Sequence, residues 1–252
     1  GLRFDAELLS ALEITTDTDE LLSAQLIDQV RATPRSEYVF HHPLIQAVAY
    51  ESQLKSDRAE WHRRLASVLQ DRASGISDEN AVLIAEHLES AAAPDAAYDW
   101  HMRAAAWLTN RDIGAARRSW ERARRLADQL PDSDESKLSK QIAPRTMLSV
   151  TDFHARAMQE SRGRFAELRV LCEAAADRVS LAIGMTGLAS ELLYDGRGAE
   201  ASASAARVTE LAGAWSGAGD EEVAQVHHVA GHHQDALGAG EPASGEEQRD
   251  AE

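Results

Sequence analysis

Small and large residues sit at fixed helical offsets between residues 97 and 127, and this spacing constrains the chain more than any other feature. Counted from Ala97, the residues Trp100, Ala104, Trp107, Ala116, Trp120 and Ala123 fall at positions 4, 8, 11, 20, 24 and 27 of one unit. One helix is then expected from a cap at Asp95 to about Asn110 and a second from a cap at Asp112 to about Leu130, each with a single packed face. Alanine at a crossing point lets two helix axes approach, and a tryptophan beside it fills the remaining gap. The rest of the chain uses the same fillers: aromatic residues make up only 5 % of the 252, and Ala and Leu supply most of the apolar volume. A β-sandwich would draw on β-branched and aromatic residues instead.

The offsets recur. From residue 147, Phe153, Ala157, Ala166 and Val170 take positions 7, 11, 20 and 24; from residue 182, Leu188, Ala189, Leu192, Ala201 and Ala205 take 7, 8, 11, 20 and 24. These two starts are 35 residues apart, close to the period of about 34 that marks tetratricopeptide repeats. The first two starts are 50 apart, which leaves a connector over 131–146, opened by the helix stop Pro131-Asp132-Ser133-Asp134. The expected fold class is all-α: a tetratricopeptide-like α-solenoid of antiparallel helix pairs over 57–213. An irregular helical bundle is the competing arrangement.

Upstream, Phe4, Leu8, Leu9 and Leu12 suit a helix over 4–13, and Leu22, Leu26 and Val30 suit another over 18–31, closed by Pro34. Tyr38-Val39-Phe40 alternates like a short strand, and Pro43 suits the first turn of a helix carrying Leu44, Ile45, Val48 and Ala49. Together these describe a small winged-helix-like module over 1–56. From Asp57 onward the pattern is helical, with Trp61, Leu65, Val68 and Leu69 on one face. Residues 214–252 carry a net charge of −8 and no sustained apolar stripe, and are expected to form an acidic, disordered tail.

Charge and composition exclude several classes. The net charge is −16, with −6 over residues 1–60 and −2 over 61–213, so no basic surface is offered to nucleic acid. No apolar run approaches the ~20 residues of a membrane span. A single cysteine and the lack of a signal peptide at the start point to a cytoplasmic chain without disulfides.

The candidate chemistry is sparse. His227-His228 and His232-His233 could offer imidazoles at a helical spacing for a metal, but in a polar tail. Cys172 lies among apolar residues and suits helix packing better than redox or nucleophilic work. Arg111, Arg117, Arg118, Arg122, Arg124 and Arg125 make one helix basic, and Arg118, Arg122 and Arg125 share a face that could dock acid or simply meet solvent. His41-His42 lies near several acids without ligand spacing, and His42 suits a cap. There is no phosphate-cradling GxxxxGK[ST] loop and no GxSxG, CxxC or HExxH.

The run Tyr38-Val39-Phe40-His41-His42-Pro43-Leu44-Ile45-Gln46-Ala47-Val48-Ala49-Tyr50-Glu51-Ser52, then Arg58-Ala59-Glu60-Trp61-His62-Arg63-Arg64-Leu65-Ala66, resembles the segment that follows the ATPase module in bacterial STAND-type signalling ATPases, of the adenylate-cyclase-linked and LuxR-type regulator kinds. Gln53 departs from that pattern, which has an apolar residue before Leu54. Ile84-Ala85-Glu86-His87-Leu88 with 97–127 resembles the first repeat downstream of it in such proteins. The resemblance implies a relay module followed by a repeat array that senses a partner, with the ATPase, cyclase and DNA-reading motifs themselves absent from these residues. The expected role is therefore a non-catalytic, cofactor-free interaction arm that binds a protein or peptide. On the geometry of such arrays, the concave face offers exposed polar residues of the 97–110 helix, namely Tyr98, His101, Arg103 and Asn110. Two other classes remain: a DNA-binding winged-helix regulator, disfavoured by the acidic 18–31 segment, and a metal-dependent enzyme using the C-terminal histidines.

Overall fold

The computed structural model describes residues 3–32, 36–72, 78–152 and 158–213. These residues hold eleven helices and three short strands, so the described chain is predominantly helical. They fall into two compact units, Gly1–Leu108 and Thr109–Glu252. The expected tail and its histidines, the Pro34 stop and Phe153 lie outside the described residues.

The first unit opens with β1 (Arg3–Asp5), α1 (Ala6–Ala11), α2 (Thr18–Ser23), β2 (Ile27–Arg31), β3 (Glu37–Phe40) and α3 (Pro43–Glu51). The strands form an antiparallel sheet in the order β1-β3-β2, with Phe4 opposite Tyr38 and Ile27 opposite Phe40. This sheet corrects two expected helices. The first starts at Ala6, not Phe4, because Asp5 accepts a hydrogen bond from the Leu8 amide at 2.5 Å and caps there. The second stops at Ser23 and gives way to β2. Leu22, Leu26 and Val30 are spaced by four, and four is a multiple of the strand period as well as nearly one helical turn. What decides is the backbone at Gln25, whose φ is 56°: its amide bonds the Leu22 carbonyl while the Leu26 amide returns to Leu21, which ends the helix. Ile27 is then free to pair with Phe40 and is buried. The strand expected at Tyr38–Phe40 and the helix opened by Pro43 are both present, and His42 caps that helix through its ring Nδ1, which accepts from the Leu44 amide at 3.1 Å.

Three longer helices complete this unit: α4 (Lys55–Arg72), α5 (Ala81–Ser90) and α6 (Pro94–Leu108). α5 packs against both α4 and α6. Its seam with α6 is lined by small buried residues, Ala81, Ala85, Ala97, Ala104 and Ala105, with Ile84 and Leu88 filling between them. Pro94 occupies the first helical position of α6, so Asp95 lies within the first turn and not at the cap. α4–α6 lie within the first compact unit, which runs to Leu108.

The second unit contains α7 (Ile113–Asp128), α8 (Lys137–Thr151), α9 (Met158–Ala175), α10 (Arg178–Tyr194) and α11 (Gly198–Gly213). α8 packs on α7, α9 and α10, and α10 also packs on α9 and α11. Asp112 caps α7, as expected, by accepting from the Ala115 amide at 2.9 Å. Trp120 is 1 % exposed above buried Ala116 and Ala123, whereas Trp107, in the first unit, is only half-buried. The residues counted from 182 fall on α10 and α11, where Ala189, Leu192, Ala201 and Ala205 are buried and Leu188 is half-buried. The register counted from 147 does not match. The residues expected as a connector form α8 from Lys137 onward, and Val170, assigned to a packed position, is exposed. Pro144 lies inside α8 with its ring fully buried; the Arg145 guanidinium donates to the Gln141 carbonyl at 3.1 Å in the same stretch of backbone.

The α8–α10 crossing is unusually close. A β-carbon built on Gly187 would lie 2.1 Å from the Ser149 carbonyl oxygen and 2.9 Å from the Val150 Cα. The Ser149 hydroxyl donates across the same seam to the Gly184 carbonyl at 3.2 Å.

Candidate functional site

The sequence placed partner-binding residues on the 97–110 helix, and the structure changes that picture. Tyr98 and His101 are buried on the α5 side of α6, so they are not part of an exposed face. The helix is offset because Ala97, Ala104 and Ala105 share that inward face, and residues at one, four and seven positions from Ala97 rotate in with them. His101 is paired through Nε2 with Glu89 on α5, which staples the two helices. Burial pushes the Tyr98 phenol up to about 12, with Asp99 adding to it, so Tyr98 stays neutral. Arg103 is exposed; its guanidinium stacks over Trp100 at 4.8 Å and its Nε donates to Asp78 at 2.6 Å. Asn110 is exposed but lies beyond the end of α6, in the second unit. Of the four, only Arg103 presents a charged side chain from α6.

A cluster that the sequence did not announce joins α3, α4 and α5. The Tyr50 hydroxyl and His62 Nε2 are 3.0 Å apart, and His62 Nδ1 faces His87 Nδ1 at 2.9 Å. The two imidazoles are stacked with centroids 5.1 Å apart. A hydrogen bond between two Nδ1 atoms needs one of them unprotonated. Burial pushes His87 down to about 4, with the neighbouring His62 adding to it. His62 is lowered too, by burial and by the nearby Arg58. At neutral pH both rings are therefore uncharged, and their role is to hold three helices together. Their spacing in the sequence, 25 residues, has no local signature.

The arginine-rich helix α7 behaves differently from a uniform basic face. Arg117 turns inward: its Nη2 bonds Asp152 at 2.6 Å, and its Nη1 bonds the Leu148 carbonyl and Thr151 hydroxyl, both at 2.8 Å. Arg164 from α9 holds the same carboxylate at 3.0 Å. Arg124 pairs with Glu121 and Asp128, and Asp128 in turn takes Arg145 of α8 at 3.0 Å. Asp152 has a side chain only 2 % exposed, so its charge is compensated by two guanidiniums and not by water. Arg118 and Arg125 remain exposed, with Arg122 half-buried. Arg145, Arg164 and Asp152 lie in unremarkable sequence contexts, so only the tertiary structure brings them together.

Cys172 is buried in a cluster with Ile142 and Leu168, and burial, with Asp177 and Glu173 nearby, pushes its thiol up to about 12. That is the packing role expected of it and leaves no thiolate for chemistry. His41 pairs through Nδ1 with Asp28 at 3.0 Å on the surface of the sheet. Among the described residues no group of three or more His, Cys, Asp or Glu side chains is arranged to hold a metal ion. No helix among them is long and apolar enough to cross a membrane.

No family model matches the chain, and no solved structure matches it. Over 135 residues, 53 % of its length, it is 29 % identical to an uncharacterized protein of Rhizobium meliloti (strain 1021), and it spans only 13 % of that relative's length.

Proposed function

We propose that this chain is a non-catalytic interaction and relay arm of a signalling ATPase or transcriptional regulator, with a helical repeat surface that binds a protein or peptide. The observation that carries the reading is the packing order in the second unit, where α8 meets α9 and α10 and α10 meets α9 and α11. In a solenoid of helix pairs, first helices of successive pairs touch each other, and each second helix fits beside them. The pairs α8/α9 and α10/α11 follow that order. In the first unit, the sequence of strand, two short helices, hairpin and helix around a β1-β3-β2 sheet supports the winged-helix-like part of the reading. The much greater length of the Rhizobium relative is in keeping with an arm that works as one part of a larger polypeptide.

The binding side chains need revision. In the first unit Arg103, with Trp100 beneath it, is the candidate from the original set; in the second unit, taken by itself, the exposed Arg118 and Arg125 of α7 are the cationic candidates for an acidic peptide. The test begins with the coding region upstream of residue 1. A GxxxxGK[ST] loop in the same reading frame is expected, and a frame without one removes the assignment to a signalling ATPase. The second arm measures ATP turnover by that full polypeptide with and without residues 109–213. A change in turnover supports a relay role, and unchanged turnover refutes it.

A further inference from the structure

A cleft of about 640 Å³ opens within the first unit, between the end of α1, strand β3 and helices α3 and α4. Its size lies within the range of ~300–1,000 Å³ typical of small-molecule sites. Leu12, Phe40, Tyr50, Arg58, Trp61 and Leu65 form its walls. Arg58, Trp61 and Leu65 are spaced three and four apart, so one face of α4 supplies the floor. That face was expected to be core. Instead Trp61 is 39 % exposed and Tyr50 is exposed as well; the Arg64 guanidinium lies 4.7 Å from the Trp61 ring centroid, on one face of that ring.

Among the described residues of the lining, Arg58 carries the only formal charge at neutral pH, in a chain of net charge −16. Its guanidinium is held in place: it lies 4.7 Å from the Tyr50 ring centroid, and its Nη1 pairs with Glu51 at 3.1 Å. The Arg58 side chain is only 15 % exposed, whereas that of Glu51 is 70 % exposed, so a ligand carboxylate can displace Glu51 into water at little cost. The Tyr50–His62 hydrogen bond fixes the ring beside it. A planar guanidinium beside an apolar slot lined by Phe40, Trp61 and Leu65 matches a carboxylate attached to a flat ring.

We infer that this cleft is a binding site for a planar aromatic carboxylate, with the carboxylate on Arg58 and the ring along Trp61 and Leu65. The site is independent of any peptide bound by the repeat helices. Binding would bridge β3, α3 and α4 and so tie the small sheet to the helices that follow it.

The test is calorimetric titration of the full chain with naphthalene-2-carboxylate and with its neutral counterpart, naphthalene-2-methanol. Saturable one-to-one binding of the carboxylate is expected, at least about tenfold tighter than the alcohol, as for a charge-assisted contact. Arg58→Met should abolish that preference while leaving the weak binding of the alcohol. Leu65→Trp should fill the slot and remove both. If Leu65→Trp does not fold, as judged by circular dichroism, the Arg58→Met comparison decides alone. Absence of saturable carboxylate binding overturns the inference, as does a preference that survives Arg58→Met.

Discussion

Replacing Gly187 by alanine tests the packing at the centre of the second unit. The added methyl would sit 2.1 Å from a backbone oxygen and 2.8 Å from the carbonyl carbon of Ser149, and neither can move as a side chain can. A carbon–oxygen contact needs about 1 Å more, so α8 and α10 must separate along their seam. Overpacking of this kind costs ~1–3 kcal/mol, and a clash with backbone belongs at the upper end. Alanine in place of glycine within a helix returns ~1 kcal/mol through propensity. A net loss of ~2 kcal/mol is expected, or a fall in melting temperature of ~4–8 °C for a chain of this size. Two other glycines calibrate the result. At Gly184 the added methyl meets the tip of the Leu168 side chain at 2.4 Å, which can turn, so the loss should be smaller. At Gly163, within α9, nothing lies within 4 Å, so alanine should stabilise by ~1 kcal/mol. Urea unfolding followed by circular dichroism would rank the three. Equal stability of the Gly187 and Gly163 variants would refute the close α8–α10 crossing.

Other consequences are open to the same assay. Trp120→Ala should cost ~3–5 kcal/mol, as for aromatic truncation in a closed core; a loss below ~1 kcal/mol would contradict its burial. Asp152→Asn leaves Arg117 and Arg164 facing each other out of water and should cost ~3–5 kcal/mol, whereas Glu37→Gln, at the exposed pair with Arg31, should cost under ~1 kcal/mol. His87 titrates near 4 when folded and near 6.5 when unfolded, so between those values the unfolded chain binds more protons. Its contribution is therefore complete above pH 6.5 and is lost as pH falls toward 4; urea midpoints at pH 7.5 and 5.0 should differ less in His87→Leu. Ala176 holds a φ of 54° at the end of α9, and Ala176→Gly should stabilise by ~1 kcal/mol by relieving the left-handed backbone; a destabilised variant would argue against that helix end.

Much of the helical framework was legible in the sequence. Helical period marked the stretches that became α4–α7, α10 and α11, because one apolar face must be buried and that need imprints a spacing on the chain. Asp112 and the Pro43 turn were readable for a similar reason: a cap acts on amides two or three residues away. The small-residue positions counted from 182 also survived, since alanine at a crossing reports a close neighbour whatever that neighbour is.

Other features depended on tertiary structure. Among the described residues, five helices end on a residue in the left-handed region, and four of those are Glu13, Gln25, Ala92 and Ala176, not glycine. Without glycine to mark the stop, the 18–31 segment read as one helix, and only pairing of Ile27 with Phe40 turned its second half into a strand. Pro144 falls in the stretch 131–146 expected as a connector, yet it lies buried inside α8. Tyr98 and His101 share the inward face of α6 with Ala97, Ala104 and Ala105, and it is the docking of α5 on that face that buries them. The ion pairs of Arg117 and Arg164 with Asp152 and the stacked His62–His87 pair join residues 12 to 35 positions apart. Local propensity acts over a few residues, whereas charge compensation and ring stacking act only once helices have docked. The sequence could therefore set the helices and many of their caps, while the packing chose which side chains meet.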